Sequence, residues 1–267
     1  MTGVARRRPL VLFFLLAYAL GWVGFLPIVL TRVGLGLVPV NVPIQFIMIG
    51  ACAPTVAALW VQWLTERNLR ICNLYSSPQT LLLGLITGGA LAAVASVIVP
   101  GLLMSRSPMH ALNWSVFASF GMYHVNYSTF FGGPVNEEPG WRGFALPRLQ
   151  TMFGPVRASV LLGALWAGWH LPLFLIPEWT SVQVWEFALI LVALSILITL
   201  GANLSRLSVL VPILMHAVFN TSPRLLGGLL EHAAPRERAD MIYTFSFVAV
   251  AIVVVLLTRG RLGRQTG

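Results

Sequence analysis

The sequence predicts an all-α fold, a polytopic bundle of about eight membrane-spanning helices, on three observations. Hydrophobic residues make up 57% of the 267 positions and charged residues only 9%, with a mean hydropathy of +0.83, whereas a soluble domain carries about 25% charged residues. The apolar residues fall into runs of about 20, the length that crosses a ~30 Å hydrocarbon core as a helix. Those runs lack the period-2 alternation of a membrane β-barrel. Helices, which satisfy their own backbone groups in lipid, are the spanning form that remains.

In order, the runs cover 9–31, 43–64, 79–104, 112–134, 156–177, 183–203, 208–230 and 240–258, the fourth and eighth with the softest edges. Arg6, Arg7 and Arg8 before the first run resemble the start of a signal peptide. The apolar stretch continues to Leu30 without a small-residue cleavage site, which reads as a retained first helix that also directs insertion. Gly132-Gly133-Pro134 closes the fourth run and is expected to bend the chain, so that the next segment turns into the protein. From Trp141 to Gln150 the pattern predicts an amphipathic piece lying at the cytoplasmic interface. No linker, low-complexity block or clear repeat divides the chain, so residues 1–267 are expected to form one domain with a motif core at about 130–222.

All 17 basic residues are arginine, against eight acidic ones, for a net charge of +9. They cluster at segment ends and form no stripe that follows a phosphate backbone, so nucleic acid is not an expected partner. With the amino terminus in the cytoplasm, twelve arginines fall on that side and five outside, which favours both termini inside. The absence of lysine points to a GC-rich bacterial genome, and hence to a bacterial plasma membrane. Cys52 and Cys72 have neither metal-ligand spacing nor matching partners.

Three clusters place polar groups where the bilayer penalises them. Glu137-Glu138 with Arg142 comes first: on a helix Glu138 and Arg142 share a face and pair, while Glu137 points about 100° away. The plain alternative is a solvated loop. Trp166 and His170 share a face of the fifth run, with Ala164, Ala167 and Gly168 small enough for another helix to approach; a lone buried histidine usually just bonds a nearby carbonyl. His216 and Asn220 share a face of the seventh run, a pair also suited to gluing helices together.

A carboxylate desolvated among helices has a raised pKa and can act, with a histidine's help, as general base on a water. His216 and Asn220 can then donate to an oxyanion. The alternative is a zinc site, with Glu137, His170 and His216 as ligands and one position open. Spacing does not choose between them. Other intramembrane protease chemistries lack their residues: Asp240 is the only aspartate, and neither His-Glu-x-x-His nor Gly-x-Ser-x-Gly occurs.

Glu137-Glu138-x-x-x-Arg142, Trp166-x-x-x-His170 and His216-x-x-x-Asn220, in this order on successive hydrophobic segments, resemble the three signature motifs of the CPBP family of CAAX prenyl endopeptidases and bacteriocin-processing or self-immunity (ABI) proteins. The resemblance implies an intramembrane endopeptidase in a helical bundle. It makes Glu137 the water-activating residue and His170 its partner. His216 and Asn220 become the oxyanion hole, with Glu138 and Arg142 in support. Trp166 stands where that family commonly has Phe, a difference of small expected weight. Implied partners are a peptide or protein substrate, lipid-modified or not, and membrane lipids, with the scissile bond presented near the cytoplasmic face. No cofactor is assigned, zinc being the alternative. A non-catalytic immunity or scaffold protein of the same fold, and an ion-relaying transporter, are the competing functions. The site also makes a geometric demand: counted along their runs, His170 lies roughly 20 Å and His216 about 12 Å from the cytoplasmic side, so a bend must bring them level.

Overall fold

The computed structural model describes residues 8–74, 76–104, 129, 133–229 and 236–264, apart from the side chains of 224–229 and 236. The described residues form helices and no strand. Helix α1 spans Pro9–Val29, and α2, Ile44–Glu66, begins with a 3-10 turn. Helix α3, Pro78–Met104, starts with Ser77 capping the Thr80 N–H and Pro78 in its first turn, and carries a π turn at Val94–Ile98. Two short helices follow, α4 (Pro134–Glu138) and α5 (Leu146–Phe153), joined by a π-helical stretch, Pro139–Ala145. Then come α6 (Pro155–Trp169) with a 3-10 extension Leu171–Leu175, α7 (Val184–Leu204), α8 (Leu210–Leu229) and α9 (Arg236–Leu257).

Six helices among the described residues are long and apolar enough to cross a membrane: α1, α2, α3, α6 with its extension, α7 and α9. This is the polytopic helical bundle that the sequence predicts. The expected fourth span, 112–134, falls almost wholly outside the described residues. The seventh is present as the 20-residue α8 but is not among the six, since His216, Asn220, Thr221, Ser222, Pro223 and Arg224 lower its hydropathy.

Helix α7 is the central post. Two-thirds of its apolar window, 67%, is buried, more than in any other of the six spans, and it packs on α6, α9, α3 and α8. Its amino end is closed by a capping box in which Gln183 and Glu186 exchange hydrogen bonds, which satisfies two donors that lipid would leave open. Between α6 and α7, Ser159 Oγ donates to Thr199 Oγ1 at 2.8 Å and Thr199 donates to the Ser195 carbonyl. Polar side chains inside the bundle thus find partners across helices.

The stretch Trp141–Gln150 departs from the expected interfacial piece. Trp141, Arg142, Phe144, Ala145, Leu146, Leu149 and Gln150 are buried. The cause is close packing: a side chain at Gly140 would collide with the Pro54 carbonyl group, so the glycine lets the π-helical stretch lie directly on α2. Trp141 and Phe144 then reach Phe13 of α1, with ring centroids 5.5 and 5.1 Å away.

Candidate functional site

The bend expected at Gly132-Gly133-Pro134 is present at Gly133, whose φ of +106° is one that glycine adopts without strain. Its carbonyl accepts the N–H groups of Asn136 and Glu137, both at 2.8 Å, which starts α4. Thr55 of α2 donates to the Asn136 carbonyl at 2.5 Å and holds that turn inside the bundle. Glu137 and Glu138 are both buried, 4% and 0% exposed.

Being adjacent on a helix, the two carboxylates point apart. Glu138 Oε1 accepts from Arg142 Nη1 and from His216 Nδ1, each at 2.9 Å. The expected Glu138–Arg142 pair is therefore present, and His216 shares its oxygen. The pairing persists although 139–145 is π-helical, a form found mostly as single-turn bulges at functional sites. Among the described residues, Glu138 Oε2 and Arg142 Nε and Nη2 find no hydrogen-bond partner.

Glu137 turns to α6. Trp166 Nε1 donates to Glu137 Oε2 at 2.7 Å, a bond the sequence reading missed because it treated the indole as an aromatic spacer equivalent to Phe. Glu137 lies between the spans, and burial holds its carboxyl above the ordinary carboxylate range; the charge of His216 and the indole hydrogen bond pull it back down. His170 Nδ1 donates to the Trp166 carbonyl at 2.8 Å, a bond that leaves Nε2 as the acceptor nitrogen of the neutral ring. Its imidazole lies in an aromatic box, edge-on to Trp169 at 4.8 Å and Phe187 at 5.2 Å and stacked with Trp179 at 5.8 Å.

The demand for level histidines is met through Trp166. Its indole is 4.9 Å from the His216 ring and 5.9 Å from the His170 ring, and the Arg142 guanidinium lies over it at 4.2 Å. Helix α6 ends at Trp169 and tightens into the 3-10 turn containing Pro172, so His170 sits at a helix end. Asn220, half-buried, lies one turn beyond His216 on α8. The structure thus brings together Glu137, Glu138, Arg142, Trp166, His170 and His216, with Asn220 on the helix that carries His216.

Two residues of the first helix also belong to this region. Tyr18 donates to the Leu165 carbonyl at 2.5 Å and Trp22 to the Trp169 carbonyl at 3.1 Å, while Trp169 donates to the Ala17 carbonyl at 3.0 Å. A phenol and an indole in mid-span are a legible signal, since their polar ends need partners in lipid. Their partners, 147 positions away, are not legible. These bonds fix the depth of the site: the Trp166–His170 turn lies beside residues 17–22 of a span that begins at Pro9, roughly 12 to 20 Å along it. That is the middle of a ~30 Å core and not its edge.

Among the described residues no three His, Cys, Asp or Glu side chains gather as a group that could hold an ion. Nδ1 of His216 is engaged by Glu138, and Oε2 of Glu137 by Trp166.

Residues 123–222 match a family model described as type II CAAX prenyl endopeptidase, Rce1-like. A 99-residue stretch is 33% identical to the CAAX prenyl protease 2 of Methanococcus maripaludis, covering 34% of this chain and 36% of that protein. The chain thus spans about a third of the length of the curated relative it matches.

Proposed function

We propose, from the match of residues 123–222 to the type II CAAX prenyl endopeptidase model and the likeness to an archaeal CAAX prenyl protease 2, that the chain is a CPBP-type intramembrane endopeptidase in which Glu137, with His170, activates a water to hydrolyse a peptide bond. The observation that carries this reading is the gathering of a buried carboxylate and two imidazoles around one indole ring. Each group costs about 2.5 kcal/mol or more at membrane depth when charged, so a purely structural role leaves that expense without return.

In the reaction, Glu137 takes a proton from water as its oxygen bonds to the substrate carbonyl carbon. His170 Nε2 accepts a hydrogen bond from the same water and orients it. In this reading His216, held through Nδ1 by Glu138, and the Asn220 amide are the donors to the developing oxyanion. The tetrahedral intermediate collapses as Glu137 returns the proton to the leaving nitrogen and the C–N bond breaks. Every proton is then accounted for by the chain's own residues, and no step passes through a metal. Arg142 supports the site by balancing Glu138.

The substrate in this reading is a membrane-associated peptide or protein, lipid-modified or not, entering from the cytoplasmic face of a bacterial plasma membrane with both termini on that side. The test is the purified full chain in liposomes with two fluorescence-quenched peptides ending in Cys-aliphatic-aliphatic-X, one farnesylated and one unmodified. Wild type is expected to cleave at least one, and Glu137→Ala and His170→Ala to cleave neither. Wild-type cleavage rates in both variants refute the reading. A full biological effect in both variants supports a non-catalytic role for the fold.

A further inference from the structure

Trp166 has more to do than fill space. Its side chain is fully buried and touches three groups of the site. The N–H reaches Glu137 Oε2 at 2.7 Å, the ring face lies under Arg142 at 4.2 Å, and the ring meets His216 at 4.9 Å with an interplanar angle of 83°. The same residue's carbonyl takes the His170 Nδ1–H. An indole clamped on both its face and its edge cannot rotate its N–H away from the carboxylate. The other oxygen, Oε1, lies where a side chain on Gly133 would stand, and none of the hydrogen bonds to described residues involves it.

We propose that Trp166 is the positioning residue that orients Glu137: its indole N–H ties down Oε2, so that Oε1, in the space left by Gly133, is the oxygen that takes the proton. This rests on Glu137 being the general base. Without the tether the carboxylate turns about its last torsion, a broad and nearly two-fold one, and Oε1 is presented only part of the time. A phenylalanine at this position has the ring but no N–H to give.

The discriminating change keeps the ring and removes the donor. Benzothienylalanine at position 166 of the full chain replaces the N–H by sulfur at nearly constant shape. With the peptide probe that wild type cleaves, kcat is expected to fall roughly 10- to 100-fold, the worth of one hydrogen bond to a charged group, with KM unchanged and the protein still folded. Wild-type kcat in that protein overturns the proposal. Glu137→Gln run beside it separates the two claims. A Glu137→Gln protein that still cleaves brings down the general-base reading, whereas an inactive one beside a fully active sulfur variant brings down only the role of Trp166. An independent readout needs no substrate: the Trp166 indole 15N–1H resonance, assigned by its loss in Trp166→Phe, is expected to move upfield in Glu137→Gln. An unmoved resonance also refutes the tether.

Discussion

Replacing Arg142 with methionine tests the electrostatic logic of the site most directly. The guanidinium is 1% exposed and its partner Glu138 is 0% exposed, so the change leaves a carboxylate in the interior with His216 as its remaining hydrogen-bond partner among the described residues. Removing one member of a buried ion pair costs about 3–5 kcal/mol, and the contact with the Trp166 face is worth up to ~2 more when desolvated. Two effects oppose the loss: the unpartnered Nε and Nη2 vanish, each relieving about 1–3 kcal/mol, and methionine keeps the aliphatic packing. The net expectation is a loss of about 2.5 kcal/mol, a fall of roughly 5–10 °C in melting temperature for a chain of this size. Thermal unfolding in detergent by circular dichroism measures it. The double variant Glu138→Gln with Arg142→Met removes both charges and is expected to recover about 1 kcal/mol or more. A single variant that melts within a degree of wild type, or a double variant that melts lower still, refutes the buried-pair argument.

Further outcomes follow from the same geometry. Glu137→Gln removes a buried charge held by one donor, so it is expected to abolish cleavage while raising stability by about 1–2 kcal/mol, the usual trade at a functional site; a destabilised protein in the same melt counts against it. Because burial raises the Glu137 carboxyl, the base is ionised only above that raised value, and kcat measured across pH is expected to fall on the acid side nearer to neutrality than an ordinary carboxylate allows. The same shift means that this group's contribution to stability is fully present below the unfolded carboxyl's pKa and is lost as pH rises through the folded one. Trp166→Phe deletes a bond that lowers the value, so its acid limb should move to higher pH; a limb that stays put or moves down shows that the bond does not act on the base. Asn203→Ala breaks bonds to Gln150 and to the Leu262 carbonyl, and amide exchange over 258–264 is expected to speed up at least about tenfold, with unchanged exchange as the refuting result. Treatment with 1,10-phenanthroline is expected to leave the cleavage rate within about twofold, and a loss reversed by zinc points to metal chemistry instead.

The sequence announces its helices because lipid allows few alternatives, and it announces the polar clusters because they stand out against apolar runs. The i,i+4 spacing of Glu138 and Arg142 was enough to foresee their pair, and the glycines before Pro134 to foresee the bend. Contacts between helices depend on how each is rotated about its own axis, which no local pattern records. The indole bond to Glu137 and the two bonds from Tyr18 and Trp22 are of that kind. Burial of Trp141 and Phe144 escaped notice for a related reason: arginines at 142 and 148 make the stretch look interfacial. One of them is instead neutralised within the core by Glu138, and the other reaches Gln62 and stacks on Phe144. The seventh run, read as a span, is present as the helix α8 although its polar residues dilute its hydropathy.

The three bonds that lace α1 to the end of α6 join partners about 150 positions apart. A ribosome adding roughly 5–20 residues per second needs about 7 to 30 seconds to bring the second partner into reach of the first. Throughout that interval the residues of the proposed site are still apart. The proposed site therefore cannot assemble before synthesis has passed His216, whose ring closes it from α8.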